Sequence, residues 1–100
     1  MIRRELNDEL KWAFNIVRCN CERGYWGITD RELTQFYKYI FADLVKARTI
    51  MVEDCFYNEL LFDDGSVHYF ENTRGDAIEA DLSEEQLETK IYLHPYGVII

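Results

Sequence analysis

The chain has one proline, five glycines and three cysteines among its 100 residues, and each scarcity removes a class of protein. Pro95 stands near the C-terminal end, so no proline-rich linker divides the sequence. The glycines are isolated, and Gly24 and Gly27 are followed by no Gly-Lys-Ser/Thr, which excludes a phosphate-cradling loop. Three is an odd number, so Cys19, Cys21 and Cys55 cannot all pair within the chain, and reduced thiols are the simpler reading. No apolar run reaches the roughly 18 residues that a membrane helix needs. The opening Met-Ile-Arg-Arg-Glu-Leu-Asn-Asp-Glu lacks the apolar stretch of a secretory signal. These absences predict a cytoplasmic protein with no membrane partner.

Cations are scarce in one half only. Residues 1–50 hold nine Lys and Arg against seven Asp and Glu, a balance of +2, whereas residues 51–100 hold two against twelve, a balance of −10. Hydrophobic residues make up 48% and aromatics 15% of the chain, which supplies a core and argues against disorder. No repeat or low-complexity tract interrupts it, and its length fits one domain, residues 1–100.

The N-terminal half reads as two helices. Ile2, Leu6, Leu10, Ala13, Phe14 and Val17 recur at spacings of three and four, a single stripe on a helix over about residues 3–20. Tyr25 and Trp26 fall on the connection that follows. Thr29 is a natural N-cap, Glu32 stands at the capping-box position, and Ile28 can staple to Leu33. Leu33, Phe36, Tyr37, Ile40, Phe41, Leu44 and Ala47 continue as an apolar face, so the spacing predicts a helix over about residues 29–48. Lys46 and Arg48 at its end would complement the helix dipole.

From about residue 50 the types become β-branched and aromatic. Ile50 to Phe62 and Val67 to Phe70 flank Asp63-Asp64-Gly65-Ser66, a hairpin signal with two open registers. A two-residue turn pairs Phe62 with Val67; a three-residue turn with Gly65 in a bulge shifts every pair by one. A second turn at Thr73-Arg74-Gly75-Asp76 leads to Ala77–Leu82, where Ile78, Ala80 and Leu82 are expected to face inward. Ser83, with Gln86 in the capping box, starts a short helical turn before a strand over Thr89 to Leu93. Val98-Ile99-Ile100 adds a last strand or a docked tail. The expected fold is α+β: two N-terminal helices packed on a three- to four-stranded antiparallel sheet, with a short helical turn before the last strand.

The residues that bear chemistry form no catalytic pattern. Cys19, Cys21, Cys55, His68 and His94 are the soft metal ligands, with a single close pair whose two-residue spacing turns the thiols apart on a helix, so no metal and no cofactor is expected. Cys55 and His68 fall on strands that pair, yet too far apart along them for a nucleophile and its base. Adjacent carboxylates such as Glu53-Asp54, Asp63-Asp64 and Glu84-Glu85 point apart into water, and Asp63-Asp64-Gly65-Ser66 lacks the alternating ligands of a calcium loop. The chain is not expected to be an enzyme.

What remains is the acidic half. Glu53, Asp54, Glu59, Asp63, Asp64, Glu71, Asp76, Glu79 and Asp81 are expected to form a surface that repels nucleic acid and attracts a basic protein. Carboxylates spaced across a sheet can stand in for backbone phosphates, so the expected partner is a nucleic-acid-binding protein. Tyr25 and Trp26 would supply aromatic anchors, while Tyr57 and Tyr69 fill the core. In kind, a short acidic chain without a catalytic site is similar to small inhibitors encoded by phages and mobile elements, including anti-restriction and anti-CRISPR proteins, and to bacterial immunity proteins. That likeness rests on no residue motif. The alternative expectation is a homodimer or larger homo-oligomer joined through the apolar C-terminus and a strand edge.

Overall fold

The computed structural model describes residues 29–73 and 76–93, together with Asp8. Its first full element follows from Thr29, whose extended backbone and hydroxyl cap a helix by accepting from the Glu32 amide at 3.1 Å. The same hydroxyl donates to Glu32 Oε1 at 3.0 Å. Helix α1 then spans Asp30–Lys38, with Asp30 and Glu32 in its first turn and Lys38 in its last, matching the dipole at both ends. Leu33 and Tyr37 are fully buried, and Ile40 and Phe41 beyond the helix continue the same apolar face.

The expected helix over residues 29–48 therefore stops at Lys38. Strand β1 begins at Leu44 and runs to Val52, so Lys46 and Arg48 lie in a sheet and do not cap a helix. The β-branched Val45, Thr49, Ile50 and Val52 favour this outcome. Leu44 and Ala47 kept the helical spacing because a bulge between Leu44 and Lys46 shifts the strand register.

Among the described residues, strands β2 (Cys55–Phe62), β3 (Val67–Thr73), β4 (Asp76–Glu79) and β5 (Ile91–Tyr92) make up the rest of the sheet. Its order is β4-β3-β2-β1-β5 with every pair antiparallel, five strands where three or four were expected. The run from Ile50 to Phe62 is two strands folded at Glu53-Asp54. Val52 pairs with Cys55, and the two turn residues both have positive φ, 50° and 64°. That is the pattern of a type I′ turn, which favours Asn-Gly, so this turn carries no such signal. The β2–β3 loop takes the three-residue register: Leu61 pairs with Val67, Phe62 N donates to Ser66 O at 2.9 Å, and Gly65 has φ 85°. Helix α2, Glu84–Glu88, carries the expected capping box, with Gln86 N to Ser83 Oγ at 3.1 Å and Ser83 N to Gln86 Oε1 at 2.9 Å. The expected helix over residues 3–20, the Tyr25-Trp26 connection and the Val98-Ile99-Ile100 tail lie outside the described residues.

Helix α1 covers one sheet face. Leu33, Tyr37, Ile40 and Phe41 pack there with Ala47, Leu60, Phe62 and Phe70. Phe41 is the hub, with ring centroids 5.5 Å from Phe62 edge-on and 5.2 Å from Phe70. A buried polar chain runs through this layer: Thr49 Oγ1 donates to Asn58 Oδ1 at 3.3 Å, and Asn58 Nδ2 donates to Tyr37 Oη at 2.6 Å. Thr34 fastens the helix to β1, accepting from Ala47 N at 2.9 Å while its own proton reaches Asp30 O at 2.6 Å or Ala47 O at 3.1 Å.

Candidate functional site

Strand alternation and register divide the sheet residues between two faces. Thr49, Asn58, Leu60, Phe62, His68, Phe70 and Glu79 share the α1 side; Arg48, Ile50, Cys55, Tyr57, Glu59, Tyr69, Glu71 and Tyr92 share the other. Cys55 and His68 are thus on opposite faces, and no nucleophile–base pair can form between them. Among the described residues no three His, Cys, Asp or Glu side chains converge as a metal would require. Ile78 is on the second face and exposed, contrary to the inward position expected for it. Tyr57 and Tyr69 are half-buried on that face as well, and among the described residues the tyrosine that enters the core is Tyr37.

The predicted carboxylates occupy four places. Glu53 and Asp54 form the exposed β1–β2 turn at one end of the sheet, and Asp63 and Asp64 form the exposed β2–β3 loop at the other. Glu71, Asp76, Glu79 and Asp81 lie on or beside β3 and β4, toward the outer edge. Glu59 alone is central, and only 13% of its side chain is exposed. Tyr25 and Trp26 fall outside the described residues.

Several of these groups have partners within the chain. Asp64 Oδ1 accepts from Ser66 N at 2.8 Å and from Ser66 Oγ at 2.5 Å, and these bonds hold its pKa below the usual carboxylate value. Glu79 Oε1 lies 2.6 Å from His68 Nδ1. Glu59 is held most closely: Lys90 Nζ donates to it at 2.8 Å, Tyr92 Oη at 3.0 Å and Tyr69 Oη at 3.3 Å. Burial works against the Lys90 charge, but the hydrogen bonds to Glu59 and Tyr92 and the attraction of Glu59 outweigh it, and its pKa rises. Burial, then the negative charge of Glu59, pushes Tyr69 up too. The Arg48 guanidinium stacks on the Tyr92 ring at 3.8 Å from its centroid. The charges of Glu59, Lys90 and Arg48 on this face are thereby absorbed into structure. The sequence offered no sign of that network, because Glu59 and Lys90 are 31 positions apart.

One acidic group does assemble. Gln86 Nε2 donates to Glu53 Oε2 at 3.4 Å, which brings α2 beside the β1–β2 turn. The turn carries Glu53 and Asp54 and the short helix α2 carries Glu84, Glu85 and Glu88, all exposed. Among the described residues none of the five takes part in an ion pair. Burial, then the neighbouring Cys55, with Glu71 and Glu53 adding less, pushes the Tyr57 hydroxyl up. Cations gather elsewhere, with Arg31, Lys38 and Lys46 around an open groove of about 460 Å³ between α1 and β1, also lined by Asp30, Thr34 and Gln35.

Among the described residues no helix is long and apolar enough to cross a membrane. Comparison with protein-family models, curated proteins and solved structures returned no match.

Proposed function

We propose that this chain is a cytoplasmic binding module that presents a carboxylate-rich end to a basic protein, one that handles nucleic acid, and inhibits it by occupying the nucleic-acid surface. Catalysis, metal and cofactor have no part in this reading. The observation that supports it is the Gln86–Glu53 bond, which sets the helix bearing Glu84, Glu85 and Glu88 beside the turn bearing Glu53 and Asp54, five exposed carboxylates without an ion pair among the described residues. Unneutralised charge of one sign in one place raises the rate of encounter with a basic surface and selects against acidic ones. The carboxylates at the far loop and at Glu59 contribute less, since Asp64 and Glu59 already accept hydrogen bonds within the fold.

The test is affinity capture from native lysate at low salt, followed by a variant with Glu53, Asp54, Glu84, Glu85 and Glu88 changed to their amides. The expected result is a basic partner whose affinity falls at least about tenfold from low to high salt. The amide variant should lose most of that affinity while keeping its fold. Binding insensitive to both salt and the amides would remove the proposal.

A further inference from the structure

Among the described residues β4 is a terminal strand, bonded to β3 on one side alone. The backbone direction follows from one bond: Ala80 N donates to Tyr69 O at 2.8 Å, so Ala80 turns its backbone groups toward β3. Antiparallel ladders alternate, so Ile78 does the same, and Ala77 and Glu79 direct their N–H and C=O outward. Ile78 stands on the strand with 46% of its surface exposed. Glu71 lies opposite it on β3, Asp76 and Glu79 bound the strand, and Asp81 follows it, exposed.

We infer that β4 accepts an extended basic segment of the partner as a sixth strand, with an apolar residue set beside Ile78 and Lys or Arg on either side of it. This inference rests on the basic-partner reading and adds the manner of docking. Backbone pairing at an open edge supplies affinity, and side chains at alternate positions supply selectivity. Charge decides the occupant. An antiparallel β4 from a second copy would bring the carboxylates of both strands together, and like charges opposite one another destabilise a pair. A strand carrying lysine or arginine meets the opposite situation.

The test uses the full chain and a synthetic peptide of alternating lysine and valine, followed by amide exchange at single residues. At ten times the peptide Kd, exchange at Ala77 and Glu79 should slow about tenfold. The same peptide with N-methyl groups along one edge keeps its charge but cannot complete a ladder, and it should give no protection there. A glutamate–valine peptide should not bind. Ala77→Pro removes one outward N–H, a change that edge strands tolerate, and should abolish protection at Glu79. Equal protection by the N-methylated or the acidic peptide overturns the inference. So does protection that grows with protein concentration alone, which would identify a second copy as the occupant. If Ala77→Pro leaves affinity for the captured partner intact while the five-amide variant loses it, the edge is wrong and the acidic-end reading stands; the reverse pattern removes that reading.

Discussion

Glu59 on β2 and Lys90 beside β5 are separated by β1, yet their side chains meet at 2.8 Å. Ile50, the β1 residue between them on that face, pairs with Tyr57 on one side and Tyr92 on the other, and it is fully buried. The ion pair, with Tyr92 and Tyr69 also donating to Glu59, therefore binds β2, β3 and β5 across an apolar residue. Lysine's long stem suits that role, covering apolar surface while its ammonium reaches a carboxylate.

Glu59→Gln removes the charge that holds Lys90 and should destabilise the fold by about 2 kcal/mol, between the values for exposed and buried pairs. Urea unfolding measures this, and a double-mutant cycle with Lys90→Met isolates the pair from the tyrosine bonds.

Alkaline stability follows from the same cluster. A lysine whose pKa is higher in the folded state contributes stability in full below its unfolded value, here 10.5, and loses it as pH rises through the folded value. Tyr69 acts in the same direction, because its raised pKa means that the folded state resists ionisation. Stability should therefore fall from about pH 10 upward, and Lys90→Met combined with Tyr69→Phe should flatten that decline in a series of urea midpoints.

The β1–β2 turn holds two non-glycine residues at positive φ, a conformation disfavoured by roughly 1 kcal/mol or more per residue. Glu53→Asn with Asp54→Gly should raise stability by about 1 kcal/mol in denaturant titration. If the turn carboxylates meet a basic partner, the same variant should bind it more weakly. Gain of stability with loss of affinity would mark strain retained at a contact site.

Thr34 tests how the β1 edge is closed. Thr34→Val keeps the shape but leaves Ala47 N without its 2.9 Å bond, so stability should drop by about 1–2 kcal/mol. With that edge less well covered, light scattering should also detect more self-association at high protein concentration.

The parts of the fold that sequence made legible were local ones. Thr29 and Ser83 announced their helices because a cap and its partner are three residues apart. Asp63-Asp64-Gly65-Ser66 announced its hairpin, but Gly65 takes positive φ in either register, and the choice rested on Asp64, which a two-residue turn would also put at positive φ and which the structure does not. The stretch after Lys38 was misread since Leu44 and Ala47, buried from a bulged strand, fall at spacings that a helix also gives. Glu53-Asp54 lacked the residues that usually mark a two-residue turn, and one long strand was read in place of two. For the site, the carboxylates were visible but their fates were not. Whether a glutamate meets solvent, as Glu88 does, or a lysine, as Glu59 does, is settled by contacts distant in the chain.

The strand order has a kinetic consequence. Strands β1 to β4 each pair with the next in sequence, so they can assemble by successive closure of short loops, the fast kind of chain search. β5 is different, for it must return past three strands to reach β1 and close a much longer loop. Its docking should be the late event, visible as amides at Ile91 and Leu93, which face β1, that gain protection after those of β2 and β3 in pulse-labelled refolding.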